Sequence, residues 1–334
     1  MIPHKRNIVY ITVMKETAEK FITAELKSLR LLDTPAPFAN LEDEICRLIL
    51  SNKFRKYGAN EKLRAHIKSA VAHNVQNNLP INITFLGGSF KLWRLDESPE
   101  VDWAELFALM YYTNWMKPIL AIYKPGAVLD FYLDDLIMEK ISNYTREEIV
   151  AFQTSFRAVM DFLKQYVPSN LQFKITTVSS IYGTEENLWA KLDAAVAKWK
   201  PATEITLTPD KLATLTLNYR PKPNEKLGKL WREENTRVHD AYIAMTDRKF
   251  FREGAGKIMA IPYHKGFDMG LHVGSTKDSI VKYWVGVGAL RPRGDSFMPT
   301  VLSLRQLENA IYDTHDISVA GLNGKNFKSI RILI

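Results

Sequence analysis

The stretch Ile81-Asn82-Ile83-Thr84-Phe85-Leu86-Gly87-Gly88-Ser89-Phe90-Lys91-Leu92-Trp93-Arg94 decides how the rest of the chain is read. Its β-branched and aromatic run predicts a strand over Ile81 to Phe85. The two glycines, a hydroxyl and two cations that follow describe a corner at a strand end. Glycines let a backbone come close to a ligand, and N–H groups and cations can hold an anion there. Gly87, Gly88, Ser89, Lys91 and Arg94 are therefore candidate phosphate or carboxylate binders. The structural alternative is a glycine bulge or turn with solvated cations.

Working outward from this corner, helices and short apolar strands alternate up to about residue 200. Ahead of it lie a strand over 7–13, a helix over 15–31, and two amphipathic helices over 42–54 and 60–75. After it, Asp102 opens a long apolar helix to about Tyr123, with Pro118 inside it as a kink. Pro125-Gly126 is a turn and Ala127 to Leu133 a strand ending in Asp134-Asp135. Thr145 and Glu148 make a capping box at the head of a helix reaching about Tyr166. Phe173 to Val178 reads as a strand, and Thr184-Glu185-Glu186 opens a helix to about Lys200. This alternation predicts an α/β fold: a Rossmann-like open mixed sheet with helices on both faces, behind an N-terminal helical region. The division expected is 1–80 for the N-terminal strand and helices and 81–334 for the catalytic α/β part, packed as one compact unit.

The C-terminal third is more mixed. A polar segment from Pro201 to Pro223 reads as a connecting arm, and 225–251 as a charged helix. Strands are expected at 257–263, 270–273, 280–287 and 327–333, a loop at 291–295 and a helix at 303–313.

Bulk properties narrow the function. The 334 residues are 46% hydrophobic and 25% charged, ordinary for a soluble globular protein. The longest apolar runs, such as Leu106 to Tyr112, are too short to span a bilayer, and no secretory signal is read at the N-terminus, so the cytoplasm is the expected location and no membrane partner is expected. Cys46 is the single cysteine, which excludes an intramolecular disulfide and a thiolate metal cluster. The net charge of +8 is spread among acids with no long block of one sign, which argues against a dedicated nucleic-acid binder. No P-loop, dinucleotide fingerprint, nucleophile elbow or HExxH motif occurs. No metal or cofactor is expected, and an isologous homodimer is the default assembly.

Ligands of open α/β sheets sit beyond the carboxyl ends of the strands. Asp134 and Asp135 fall there with the glycine corner. They can orient a polar substrate group, hold Mg²⁺ as in nucleotide-sugar transferases, or cap the helix starting at Leu136. Glu105 either complements a helix dipole or points back to the corner as an acid–base group. Lys124 lies in a turn and is a candidate for the same crevice. His264 and Lys265, with His272, read as a hairpin offering an acid–base or substrate-binding group.

In order along the chain, Phe85 to Lys91, then Pro99, Asp102 and Glu105, then Tyr123-Lys124-Pro125-Gly126-Ala127, Leu133-Asp134-Asp135 and Ile261-Pro262-Tyr263-His264-Lys265 resemble the isonitrile (isocyanide) synthase family. The similarity spans about 40–290. Gly87-Gly88-Ser89, Asp135 and Tyr283-Trp284-Val285-Gly286 depart from the family's pattern. The resemblance implies a Rossmann-like fold and a biosynthetic enzyme that condenses an amino-acid amine, often of tyrosine or tryptophan, with ribulose 5-phosphate. On that reading Lys91, Arg94 and Lys124 bind an anionic group with help from Lys265, Asp134 orients the substrate, and Glu105 and His264 move protons. Two other readings stay open: a metal-dependent glycosyl- or nucleotidyl-transferase using Asp134 and Asp135, and a non-catalytic nucleic-acid-binding protein.

Overall fold

The structure, a computed structural model, describes residues 17–89, 91, 98–202, 208–209, 219–220, 228–246, 254–261 and 269–334. The strand expected at 7–13 lies outside these residues, as do Arg94, His264 and Lys265 and most of the expected connecting arm.

Three helices come first: α1 (17–28), α2 (Leu41–Ile49) and α3 (Glu61–Gln76). Asn40 and Asn60 start the second and third by accepting the backbone N–H three residues on, which satisfies a donor the helix itself cannot. The central unit then runs β1 (Ile81–Gly88), α4 (Trp103–Ile122), β2 (Ala127–Asp134), α5 (Ile137–Ser142), α6 (Arg146–Lys164) and β3 (Leu171–Thr177). Next come α7 (Val178–Ile181), α8 (Glu185–Ala202), α9 (Lys229–Thr246), β4 (Lys257–Ile261) and β5 (Leu271–His272).

The five strands form one parallel sheet in the order β3-β2-β1-β4-β5. This is a Rossmann-like α/β arrangement. The order reverses between β1 and β4, which places a crevice beyond their carboxyl ends. The register carries Gly87 beside Leu133 and Gly88 beside Asp134, so both glycines belong to the strand and not to a turn.

Strand alternation gives the sheet two unlike faces. Ile83, Phe85, Leu129 and Phe131 point one way, into a core where Phe85 stacks on Tyr112 of α4 at 4.2 Å and Phe131 meets Phe156 of α6 edge-on at 5.4 Å. Helix α4 is apolar nearly all round and buried accordingly. The opposite face carries Thr84, Asp130, Tyr132, Asp134 and Lys257. Its apolar cover is small: Tyr132, Met259 and Ile261, with Leu86 and Ile181 of α7 packed against them.

A second sheet, in the order β7-β6-β9-β8, completes the chain with β6 (Val287–Arg293), β7 (Ser296–Leu302), α10 (Leu304–Glu308), β8 (Tyr312–Asp316) and β9 (Ser329–Leu333). It corrects several sequence expectations. Residues 291–295 are the end of β6 and its hairpin turn, with Gly294 at φ +58 in the two-residue loop. Pro292 is tolerated because β9 pairs with β6 only at Ala289 and Leu290. The stretch 280–287 is not a strand: it bends through a 3-10 turn at Tyr283–Val285, and pairing begins at Val287. The expected last helix stops at Glu308 and gives way to β8. One continuous apolar core runs from Ala18 to Ile332. Among the described residues no helix is long and apolar enough to cross a membrane.

Candidate active site

The glycine corner is closed rather than open. Lys91 is 0% exposed. Its Nζ donates to Asp102 Oδ1 at 2.9 Å, to Glu105 Oε1 and Oε2 at 2.9 Å, and to the Tyr283 carbonyl at 3.0 Å. An ammonium has three N–H bonds, so none is left for an anion. The expectation that Lys91 binds a phosphate is corrected on that ground.

Asp102 and Glu105 are the two halves of a capping box at the head of α4. Asp102 Oδ1 also takes the Ala104 N–H at 2.7 Å, and Oδ2 the Gly288 N–H at 3.3 Å. Glu105 Oε2 accepts the Asp102 N–H at 2.8 Å. Glu105 therefore faces Lys91 and the helix end, buried, and not a ligand crevice; its expected acid–base role is corrected with that of Lys91. Burial pushes the Glu105 carboxyl up to about 8 against the pull of Lys91. For Lys91, burial works against the charge, but Asp102 and Glu105 outweigh it and hold the ammonium above its usual range.

This knot fastens the two sheets together. A Cβ on Gly288 of β6 would fall 2.4 Å from Trp103 Cβ, so glycine lets β6 lie directly on the start of α4. A Cβ on Gly87 would meet the Tyr283 hydroxyl at 2.9 Å and Leu133 at 3.0 Å. Gly87 thus makes room for Tyr283, not for a substrate. Ser89 is buried and receives the Gln153 side-chain amide at 3.2 Å.

Lys124 is exposed and sits at the amino end of β2. The carboxyl end lies across the eight residues of β2, about 25 Å at the rise of an extended strand. Lys124 does not reach it.

Asp135 is also spoken for. Its Oδ1 accepts the Ser179 N–H at 3.0 Å and its other oxygen the Ser179 hydroxyl, so it fixes the start of α7. The helix beginning after Leu136 has no side-chain cap, so the expectation that one of the two aspartates caps it is corrected. The histidine hairpin is corrected as well: β4 and β5 run parallel, so the two strands do not form a hairpin. His272 lies at the end of β5, edge-on to Tyr57 at 5.1 Å, and burial lowers its pKa.

Asp134 is different. It ends β2 beside Gly88, on the polar face of the sheet, and is only half-buried. Tyr242 of α9 donates its hydroxyl to Asp134 Oδ1. Burial pushes Asp134 up to about 6. The Tyr242 hydrogen bond pulls it down, the Asp135 charge pushes it up, and His239 and Lys282 pull it down. Lys282 is held below its usual range by burial, with Asp134 acting against that, and its Nζ lies 5.6 Å from the Trp284 ring centroid. Tyr242 is raised well above its usual value, first by burial and then by Asp134.

Five groups therefore meet at the carboxyl end of β2: Asp134, Tyr242, His239, Lys282 and Trp284. A carboxyl whose pKa burial raises towards neutrality, with a lysine of lowered pKa in its field, at the carboxyl ends of the strands, is an environment suited to proton transfer. Of these, sequence reading singles out Asp134 alone. Tyr242 and His239 come from a helix more than 100 positions later, and Lys282 from a turn later still. The only local signal was their spacing: positions 239 and 242 share one face of a helix.

By sequence, no family model and no curated protein matches this chain. By structure, the PvcA protein of Pseudomonas aeruginosa is similar at a TM-score of 0.60 and 13% identity, covering 88% of this chain and 100% of that one. The tyrosyl-tRNA synthetases of Aeropyrum pernix and Archaeoglobus fulgidus align at TM-scores of 0.30 and 0.34 and identities of 10% and 14%. They cover 69% and 68% of this chain and 54% and 56% of theirs. The PvcA likeness establishes a shared α/β fold.

Proposed function

We propose that this chain is a small-molecule biosynthetic enzyme of isonitrile-synthase-like chemistry, joining an amino-acid amine to a ketose phosphate in the Asp134 crevice. The observation that carries the reading is the setting of Asp134 at the end of β2, next to the switch point and between a tyrosine and a lysine. The motif order that resembles the isonitrile synthases supports it. So does the fold which that resemblance implies, matched by this chain over the whole length of PvcA.

An amine attacks a carbonyl only when unprotonated, and the resulting carbinolamine loses water only when its hydroxyl is protonated. With a pKa near 6, Asp134 can take the first proton and return it for the second step. Tyr242 holds the carboxylate by its hydroxyl. Lys282 supplies the positive charge for the substrate's anionic group, a role that Lys91 cannot fill.

The transferase reading has less to stand on, because both oxygens of Asp135 are used by Ser179. The test is to incubate the protein with tyrosine or tryptophan and ribulose 5-phosphate and look for the isonitrile by mass spectrometry. Asp134→Asn should lower turnover by about 10²–10⁴-fold with the melting temperature kept. An Asn variant as active as the parent, or turnover only of a nucleotide sugar with Mn²⁺, would overturn the proposal.

A further inference from the structure

A cavity of about 470 Å³ lies away from Asp134, among α1, α2, α4 and the β6–β7 hairpin. It falls in the size range of small-molecule sites. Its walls are aromatic: Phe21 meets Phe297 edge-on at 5.8 Å, Phe54 lies 5.2 Å from Tyr111, and Phe107 and Trp115 of α4 are fully buried.

Two acceptors stand out in this lining. Glu25 of α1 is half-buried, and its carboxylate makes no hydrogen bond among the described residues; burial raises its pKa against the charge of Lys117. Lys117 itself donates to the Ser28 carbonyl at 2.9 Å. In α4, Pro118 has no N–H, so the Asn114 carbonyl loses the partner a helix would give it. Both residues line the cavity. A ligand hydroxyl entering the cavity can donate to either acceptor.

The rim has the opposite character. Lys53, Lys277 and Arg293 are exposed, and none of the three is ion-paired among the described residues. Asp33 is the one acid in the lining besides Glu25, so the mouth favours negative charge.

We propose that this cavity is a second binding site, for a hydroxylated aromatic carboxylate. The ring lies between the phenyl walls, the hydroxyl donates inward to Glu25 or the Asn114 carbonyl, and the carboxylate faces Lys53, Lys277 and Arg293. The site is independent of the Asp134 chemistry. Because four elements meet around it, a bound ligand also stabilises the fold by mass action.

The test is calorimetric titration of the full chain with 4-hydroxyphenylacetate, phenylacetate and tyramine. The hydroxy acid should bind best. Phenylacetate, lacking the donor, should bind about tenfold more weakly, the fold-change of one hydrogen bond. Tyramine should be weaker too. Glu25→Leu should erase the preference for the hydroxyl. Asn114→Trp should abolish binding by filling the cavity. Arg293→Ala, at an exposed position that cannot unfold the chain, should weaken only the acids. Asp134→Asn should bind as the parent does, which separates this site from the catalytic proposal. No binding at millimolar concentration, a preference for tyramine, or binding indifferent to Glu25→Leu and Asn114→Trp would overturn the proposal.

Discussion

Two places in this molecule set a lysine near a carboxyl whose pKa burial has raised. At the head of α4, Lys91 meets Asp102 and Glu105 with every N–H used and nothing exposed. At the end of β2, Asp134 is half-buried, held by one tyrosine hydroxyl, with Lys282 nearby. The residue types are the same, and what differs is closure. In the first, protein groups saturate the charge, so the knot can only hold the two sheets together. In the second, one tyrosine hydroxyl is the carboxyl's only hydrogen-bond partner among the described residues, so it keeps capacity to accept from a substrate.

The comparison breaks most decisively at Lys91. Lys91→Met leaves Asp102 and Glu105 buried without their cation, a defect of about 3–5 kcal/mol. Urea denaturation should show it as a lower midpoint at unchanged slope. Adding Glu105→Leu to Lys91→Met should recover part of the loss, because a buried ion pair replaced as a unit is often nearly neutral. If Lys91→Met costs less than about 1 kcal/mol and instead abolishes substrate binding, the closed corner is a ligand site after all.

The pH dependence sharpens the same contrast. Glu105 has a folded pKa of about 8 against an ordinary 4.5. The folded chain therefore binds a proton that the unfolded chain has released, throughout the interval between these values. Stability should be highest below about 4.5 as far as this group is concerned, fall as pH rises towards 8, and level off above. Asp134, raised from 3.8 to about 6, adds a loss of the same sign over a lower window. Urea midpoints between pH 5 and pH 9 for the parent and for Glu105→Gln separate the two. The variant should lose the slope between pH 6 and 8; a slope that persists there would assign it to other groups.

How far the sequence could have shown this follows from where each signal sits. The β1–α4–β2 succession, the capping box at Thr145 and the place of Asp134 at a strand end are all local patterns, and local patterns are readable. Closure is not local. Lys91 is sealed by Tyr283, nearly 200 positions away, and the close approach that seals it depends on Gly288. Tyr242 and Lys282 reach Asp134 only through the tertiary fold. Nothing near 91 in the chain distinguishes a buried lysine from a solvated one. The turn at Tyr283–Val285 was hidden for a related reason: its β-branched and aromatic residues suit a strand, but tertiary packing of Tyr283 against Tyr112, Phe131 and Phe156 bends it.

A third lysine makes the smallest prediction and the cleanest control. Lys124 shares a resemblance motif with the crevice residues and stands only ten positions before Asp134 in the sequence. Those ten positions include the whole of β2, and a parallel strand carries its ends to opposite edges of the sheet. Lys124 is exposed, beyond the edge opposite the crevice. Lys124→Ala should therefore change stability by no more than about 0.5 kcal/mol and leave turnover and substrate KM where they were. A raised KM would mean that substrate touches the amino end of the sheet. The crevice at the carboxyl ends would then have to be given up as the place where the chemistry occurs, because no single small substrate bridges the length of β2.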